Sequence, residues 1–272
     1  MKHVFLSIFF ALSLALASAE IPFSFDWRLD APLFAIGATQ TALSMAIPKW
    51  KNYENLSNEK GNLDDVNALD RWAAHGYKKG FDRAGDVVVA FSLVSPAAIF
   101  GATWLSDKIT TNDALVLAAM YAESFLLTQG TCGLLKIAIK RDRPFMYYDE
   151  RDSSAITDGD GHFSFPSSHT ANAFMSATFL TYTFCEIFPE SPWKIPVAIG
   201  GYSLAVAVGA LRIASANHFP TDVFSGAVIG TIFGFAVPFS HTFFSNSKST
   251  SQDSKKVEVS ILPLGFSLKF KS

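Results

Sequence analysis

Three polar clusters interrupt a chain that is otherwise largely apolar, and their residue types suit the handling of a phosphate-like oxyanion. The first runs from Lys136 to Arg143-Pro144, the second is Pro166-Ser167-Ser168-His169, and the third runs from Arg212 through His218 to Asp222. The positions in them suited to an oxyanion supply three cations (Lys136, Arg143 and Arg212), two imidazoles, two adjacent hydroxyls and the Asp222 carboxylate. That set fits a reaction in which one histidine attacks phosphorus while the other manages the proton of the leaving group. No cluster carries this reading alone; their order, and the apolar segments between them, do.

Each residue has an expected role. His169 is the candidate nucleophile, forming a phosphohistidine that water later cleaves. His218 is the candidate general acid, protonating the departing oxygen and then activating water. Asp222 lies four residues beyond His218, so on one helical turn its carboxylate would orient that ring and stabilise its charged form. A break at Pro220 would require another path, and Asp222 is also suited to capping a helix. Lys136, Arg143 and Arg212 would neutralise the non-bridging oxygens, the arginines as forked donors and the lysine as a point charge. Ser167 and Ser168, at the start of a helix, would add hydroxyl and backbone N–H donors. Lys140 and Arg141 are expected only to reach towards lipid headgroups. With three cations in place the reaction needs no metal, and no cofactor is expected.

The three clusters resemble the signature motifs of the type 2 phosphatidic acid phosphatase (PAP2) superfamily, which also contains soluble bacterial acid phosphatases and vanadium haloperoxidases. The first motif is complete: a lysine, six residues, then Arg-Pro. The second carries Ser168 where the family usually has glycine, and the third carries Leu211 where a serine normally precedes the arginine. Every charged or imidazole position of the pattern is occupied. The resemblance implies an all-α helical bundle and phosphate-ester hydrolysis. A vanadate cofactor would fit the same pocket, so a haloperoxidase is a rival reading.

The elements that must position these residues are hydrophobic. Charged residues make up only 17% of the 272 and apolar ones 49%, with 26 phenylalanines and a mean hydropathy of +0.24, values that point to a membrane protein. A net charge of −2 without a basic face gives no reason to expect nucleic acid. Cys132 and Cys185 each sit in an apolar run and suit packing. Lys2, the apolar run from Val4 and Ala17-Ser18-Ala19 have the three parts of a secretory signal peptide, so residues 1–19 are expected to be removed. Residues 20–84 then hold an alternating aromatic segment from Ile21 to Leu29, a marginal apolar stretch from Ala31 to Pro48 that would either span or dip, and a polar loop with a short helix from Val66 to His75. Asn55-Leu56-Ser57 matches a glycosylation acceptor.

Residues 85–244 are expected to form the catalytic bundle. Five segments, Val87–Leu105, Ala114–Ile139, His169–Phe188, Ile195–Leu211 and Val223–Phe239, approach the length of a membrane-crossing helix, giving five or six spans in all. Because consecutive crossings reverse direction, all three clusters fall on one face. Residues 245–272 read as a polar linker followed by an alternating stretch suited to a strand. The whole describes a multi-pass protein of a bacterial inner membrane, acting on a lipid phosphate or isoprenoid diphosphate such as phosphatidate, phosphatidylglycerol phosphate or undecaprenyl diphosphate. An exported soluble acid phosphatase is the alternative. Lys49, Lys51, Lys60, Arg71, Lys78, Lys79 and Arg83 would share the motif face and favour the cytoplasm; the family resemblance favours an outward-facing site, and the expectation leans outward. Nothing in the sequence speaks to oligomeric state.

Overall fold

The computed structural model describes residues 19–50, 59–253, 257–262 and 265–270. Six long helices form the body: α1 (Trp27–Trp50), α2 (Lys79–Leu105), α3 (Thr111–Ile139), α4 (Ser168–Ile187), α5 (Lys194–Ala214) and α6 (Pro220–Asp253). Short helical pieces at Leu63–Asp65, Ala68–Arg71, Pro144–Tyr147, Ser153–Thr157 and Asp160–His162 fill the loops at one end. The signal-peptide expectation and Asn55 lie outside the described residues.

Local chemistry explains where the helices begin. Thr110 and Asp113 form a reciprocal capping box at the start of α3. Ser167 caps α4 by accepting from the backbone of Thr170. Pro220 opens α6 at the first helical position, where its missing N–H costs nothing.

Helix α4 is the hub, packed mainly against α6, α5 and α2. Ala171, Ala173, Met175, Ala177, Phe179, Leu180 and Phe184 on it are buried. Its approach to α6 is close because Gly226, Gly230 and Gly234 recur every fourth residue; a Cβ on each would strike the backbone of Ser167, Ala171 and Met175 respectively. Two hydroxyls on α4 are satisfied within the helix, Ser176 on the Asn172 carbonyl at 2.9 Å and Thr183 on the Phe179 carbonyl at 2.6 Å.

Among the described residues three helices are long and apolar enough to cross a bilayer, Lys79–Leu105, Lys194–Ala214 and Pro220–Ser245, and they support a multi-pass membrane protein. Their outer faces carry Phe91, Ile195, Ile199 and Phe224, all largely exposed. Helices α3 and α4 lack a continuous stretch that apolar. α4 is packed on several sides by its neighbours, so its Ser, Thr and Asn side chains meet protein rather than lipid.

Several local expectations changed. The alternating Ile21–Leu29 segment, whose period suits a strand or an interfacial aromatic segment, runs irregularly to Asp26, whose carboxylate accepts from the Arg28 N–H at 3.1 Å, and α1 starts at Trp27. The marginal Ala31–Pro48 stretch lies within α1, which packs along α3 where Gly37, Gly130 and Gly133 let the backbones approach. The helix expected from Val66 to His75 is only Ala68–Arg71. At the C-terminus the alternating pattern forms an antiparallel hairpin, Val257–Leu262 with Gly265–Phe270, in the register Val257 to Phe270.

Candidate active site

The alternating helix directions bring the C-terminal ends of α3 and α5 together with the N-terminal ends of α2, α4 and α6. All three polar clusters therefore meet at one end of the bundle, beneath the segment from Pro144 to Phe165.

Lys136 sits one turn before the end of α3 and donates from Nζ to the Phe163 carbonyl at 2.8 Å. Arg143, just past that helix, is 7% exposed. It donates from Nε to the Asp160 carbonyl at 2.9 Å, from one terminal nitrogen to the Asp160 carboxylate at 2.5 Å and from the other to the Asn217 carbonyl at 3.2 Å. These contacts tie the first cluster to the third.

Arg212 comes from the last turn of α5 and is 3% exposed. One terminal nitrogen lies 3.0 Å from an Asp82 carboxylate oxygen and also donates to the Asp82 carbonyl; the other lies 3.3 Å from Asp86. Its Nε is buried and has no acceptor, so one N–H of the guanidinium is left without a partner. Gly85 makes the approach of α2 feasible, since a Cβ there would collide with the guanidinium.

His169, the second residue of α4, points Nε2 at the same Asp86 oxygen, 3.3 Å away. Arg212, His218, Lys136 and Arg143 all lie within electrostatic reach of its ring. Asp86 thus places a carboxylate oxygen beside both the candidate nucleophile and the candidate anion clamp, where a phosphate oxygen would also be attracted. Substituting Asp86→Asn is therefore expected to lower the inhibition constant of inorganic phosphate or vanadate several-fold with little change in kcat. A fall in kcat with unchanged inhibition would mean instead that Asp86 orients the ring.

The end of α5 is closed by Ala216 in the left-handed region, φ 64°, so the N–H groups of Asn217 and His218 both turn back to the Arg212 carbonyl at 3.2 Å. That reversal sets His218 beside Arg212. The His218 Nδ1–H donates to the Ser164 carbonyl at 2.6 Å, which leaves Nε2 as the nitrogen able to exchange a proton. Asp222 reaches the ring indirectly. Its nearer oxygen is 3.8 Å from Nδ1, too long for a hydrogen bond, because His218 precedes Pro220 and lies outside the helix. That oxygen accepts instead from the Ser164 hydroxyl at 2.5 Å and from the Phe219 N–H at 2.7 Å, the second contact being a reach back from the third helical position. Asp222 and Ser164 together hold the loop that holds His218.

Burial is the main force on the His218 ring, and with Arg143 and Lys136 nearby it outweighs the Asp222 carboxylate and pushes the pKa down to about 4. The sign for stability follows. Between the ordinary 6.5 and about 4 the unfolded chain binds the proton and the folded one does not, so stability falls as pH drops through that window. Thermal unfolding in detergent is expected to shift to lower temperature on acidification from pH 6.5, and His218→Gln should flatten that slope.

The two serines of the second cluster differ in role. Ser167 is buried and committed to the cap, its Oγ lying 2.9 Å from Thr170 Oγ1 and 3.4 Å from the Thr170 nitrogen. Ser168 is half-buried beside Cys132.

Arg141 overturns the expectation that it only reaches for headgroups. It bridges two fully buried carboxylates, Asp70 at 2.7 Å and Asp222 at 2.6 Å, donates to Thr221 Oγ1 at 2.7 Å, and lies 4.3 Å over the Phe219 ring. Two buried anions attract the nearest guanidinium more strongly than a hydrated interface does. Burial raises the pKa of Asp70, yet hydrogen bonds from Thr221, Arg141 and Asn67 outweigh it and hold the carboxyl below its ordinary value. Sequence reading missed Asp70, Asp82, Asp86, Asp160, Ser164 and Asn217 because none belongs to a recognisable spacing; each is an acceptor brought in by the fold.

Comparison with known proteins gives a consistent picture. A profile of the PAP2 superfamily matches residues 117–245. The lipid A 1-phosphatase of Porphyromonas gingivalis is 38% identical over 77 residues, a stretch that is 28% of this chain and 16% of that protein. A PA-phosphatase related-family protein of Dictyostelium discoideum is 24% identical over 227 residues, covering 79% of this chain and 78% of that protein. Among solved structures, a transmembrane PAP2-type phosphatidylglycerolphosphate phosphatase from Bacillus subtilis overlays with a TM-score of 0.46 at 22% identity, over 80% of this chain and 96% of that one.

Proposed function

We propose that the chain is a member of the PAP2 superfamily, whose profile matches residues 117–245, and that it hydrolyses the phosphate ester or diphosphate of a membrane lipid through a phosphohistidine on His169. The reading rests above all on one observation: Asp86, Arg212 and His169 meet at a single carboxylate oxygen, within electrostatic reach of Lys136, Arg143 and His218. In the proposed reaction His169 Nε2 attacks phosphorus and the bond to the leaving oxygen breaks. His218 Nε2, a lone pair while the ring is neutral, takes up a proton as the anionic substrate binds beside it and supplies that proton to the leaving oxygen. Water then attacks the phosphohistidine, giving its proton back to His218, and inorganic phosphate leaves.

The cations act electrostatically. Arg212 presents an unpartnered Nε, and Arg143 and Lys136 complete a cationic wall whose donors are fixed before substrate arrives, so little reorganisation is needed at the transition state. Asp222, Arg141, Asp70 and Ser164 position the His218 loop without touching substrate.

A lipid substrate is favoured by the membrane helices that carry the site and by an apolar cavity of about 510 Å³ between α2, α3 and α4, lined by Leu93, Phe100, Leu117, Tyr121, Phe125 and Phe179. The cavity's lining begins about 10 Å along α2 from Asp86 and continues away from the polar end. The same helices weigh against the soluble acid phosphatase. Phosphate release from phosphatidate, phosphatidylglycerol phosphate, undecaprenyl diphosphate and lipid A in detergent tests the proposal; equal release by wild type and His169→Ala would reject it. An outward-facing site remains part of the proposal, tested by a compartment-sensitive reporter fused after Lys79.

A further inference from the structure

A second polar cluster lies far from the phosphate site. Asp30 at the start of α1, Glu123 in the middle of α3 and His241 in the second half of α6 converge with one ligand atom each within 4.8 Å of the others, and all three are buried. Glu123 is 13 residues before Lys136 on the same helix, about 20 Å along its axis.

The hydrogen bonds leave this cluster incomplete. His241 Nδ1 lies 3.2 Å from the Ser24 carbonyl, which can only accept, so Nδ1 carries the proton. Nε2 faces two carboxylates, Glu123 Oε2 at hydrogen-bond distance, 3.2 Å, and Asp30 Oδ1 at 3.8 Å; a charged ring donates to Glu123, whereas a neutral one presents a lone pair there. Asp30 Oδ1 and Glu123 Oε1 are buried without any hydrogen-bond partner. The other Asp30 oxygen is held by the Asp26 N–H at 2.7 Å. Three acceptors crowded in a dry interior repel one another unless something positive lies between them.

We propose that Asp30, Glu123 and His241 bind a divalent transition-metal ion, Zn²⁺ above others, as a structural staple. One imidazole and two carboxylates are a suitable donor set, and their two negative charges balance the ion. Donors about 2.0–2.2 Å from a tetrahedral ion lie roughly 3.3–3.6 Å apart, so the separations here need only modest closing. The supports around the ligands match those of metal sites: Ser24 fixes the tautomer and ring plane of His241, and the Asp26 N–H fixes Asp30. The ion would tie the start of α1 to α3 and α6. It takes no part in phosphate chemistry, and it is separate from the expectation that catalysis needs no metal.

The test is metal analysis of the full chain purified in detergent without chelator. Wild type and His169→Ala are each expected to carry about one equivalent of zinc, and Glu123→Gln and His241→Ala about a tenth of that or less. On wild type stripped of metal, adding Zn²⁺ should raise the unfolding temperature, and Co²⁺ should give a visible d–d spectrum absent from His241→Ala. The two wild-type measurements stand even where a variant fails to fold. Wild type without metal and unmoved by Zn²⁺, Mn²⁺ or Co²⁺ would overturn the proposal, leaving a proton shared among the three groups. Equal metal in wild type and His241→Ala would overturn it as well.

Discussion

Replacing His169 with alanine is expected to lower turnover of the lipid substrate by ~10⁴-fold or more, the scale of loss when a covalent nucleophile is deleted. Substrate affinity should hardly change, because Lys136, Arg143 and Arg212 remain held by Phe163, Asp160, Asn217 and Asp82. The measurement is kcat against KM with equilibrium binding of phosphate or vanadate alongside. A loss confined to KM would assign His169 to binding and leave the attack to another group.

The second large effect concerns His218 and separates the two chemical steps. A ring whose Nδ1 is fixed by Ser164 offers only Nε2 to the leaving oxygen. His218→Gln should slow the first turnover of an alkyl phosphate by ~10²–10⁴-fold, the usual span for general acid catalysis. Release of p-nitrophenol from p-nitrophenyl phosphate should survive in the first turnover, since that leaving group departs without a proton. Steady-state turnover of both should fall, because water then lacks its base. The expected trace is a burst of p-nitrophenol followed by near arrest. Equal slowing of both substrates in the first turnover would show that His218 is not the acid.

The convergence of the candidate residues was legible because they carry strong sequence signals. His169, His218, Arg143 and Arg212 lie at the ends of long apolar runs, and alternation of helix direction alone places those ends together. The clamps that hold them were not legible. Asp82 and Asp86 are two acids among several in a polar stretch, and only the packing of α2 against α5, permitted by Gly85, selects them as partners of Arg212. Arg141 stands next to a lysine at a helix end and reads as a surface charge until Asp70 and Asp222 are found buried beneath it. The link from Asp222 to His218 follows the other path that a break at Pro220 requires. A four-residue spacing implies one helical face, whereas Pro220 starts the helix after the histidine and passes the contact to Ser164.

Two signals in the sequence went unused. Glycines at 226, 230 and 234 recur at a helical period, which marks close backbone packing. Glu123 is a lone acid in an apolar run, and such an acid needs a partner inside the bundle. Fold and reaction class were thus legible from periodicity and motif, while the supporting contacts depended on which loops the bundle brought together.

The most direct test uses His218→Gln, in which the phosphoenzyme should persist. Incubation with ³²P-labelled substrate, rapid quenching, digestion and mass mapping should place an acid-labile, alkali-stable label on His169 at close to one per active chain. No label, or a label on a serine or any other residue, would contradict the account.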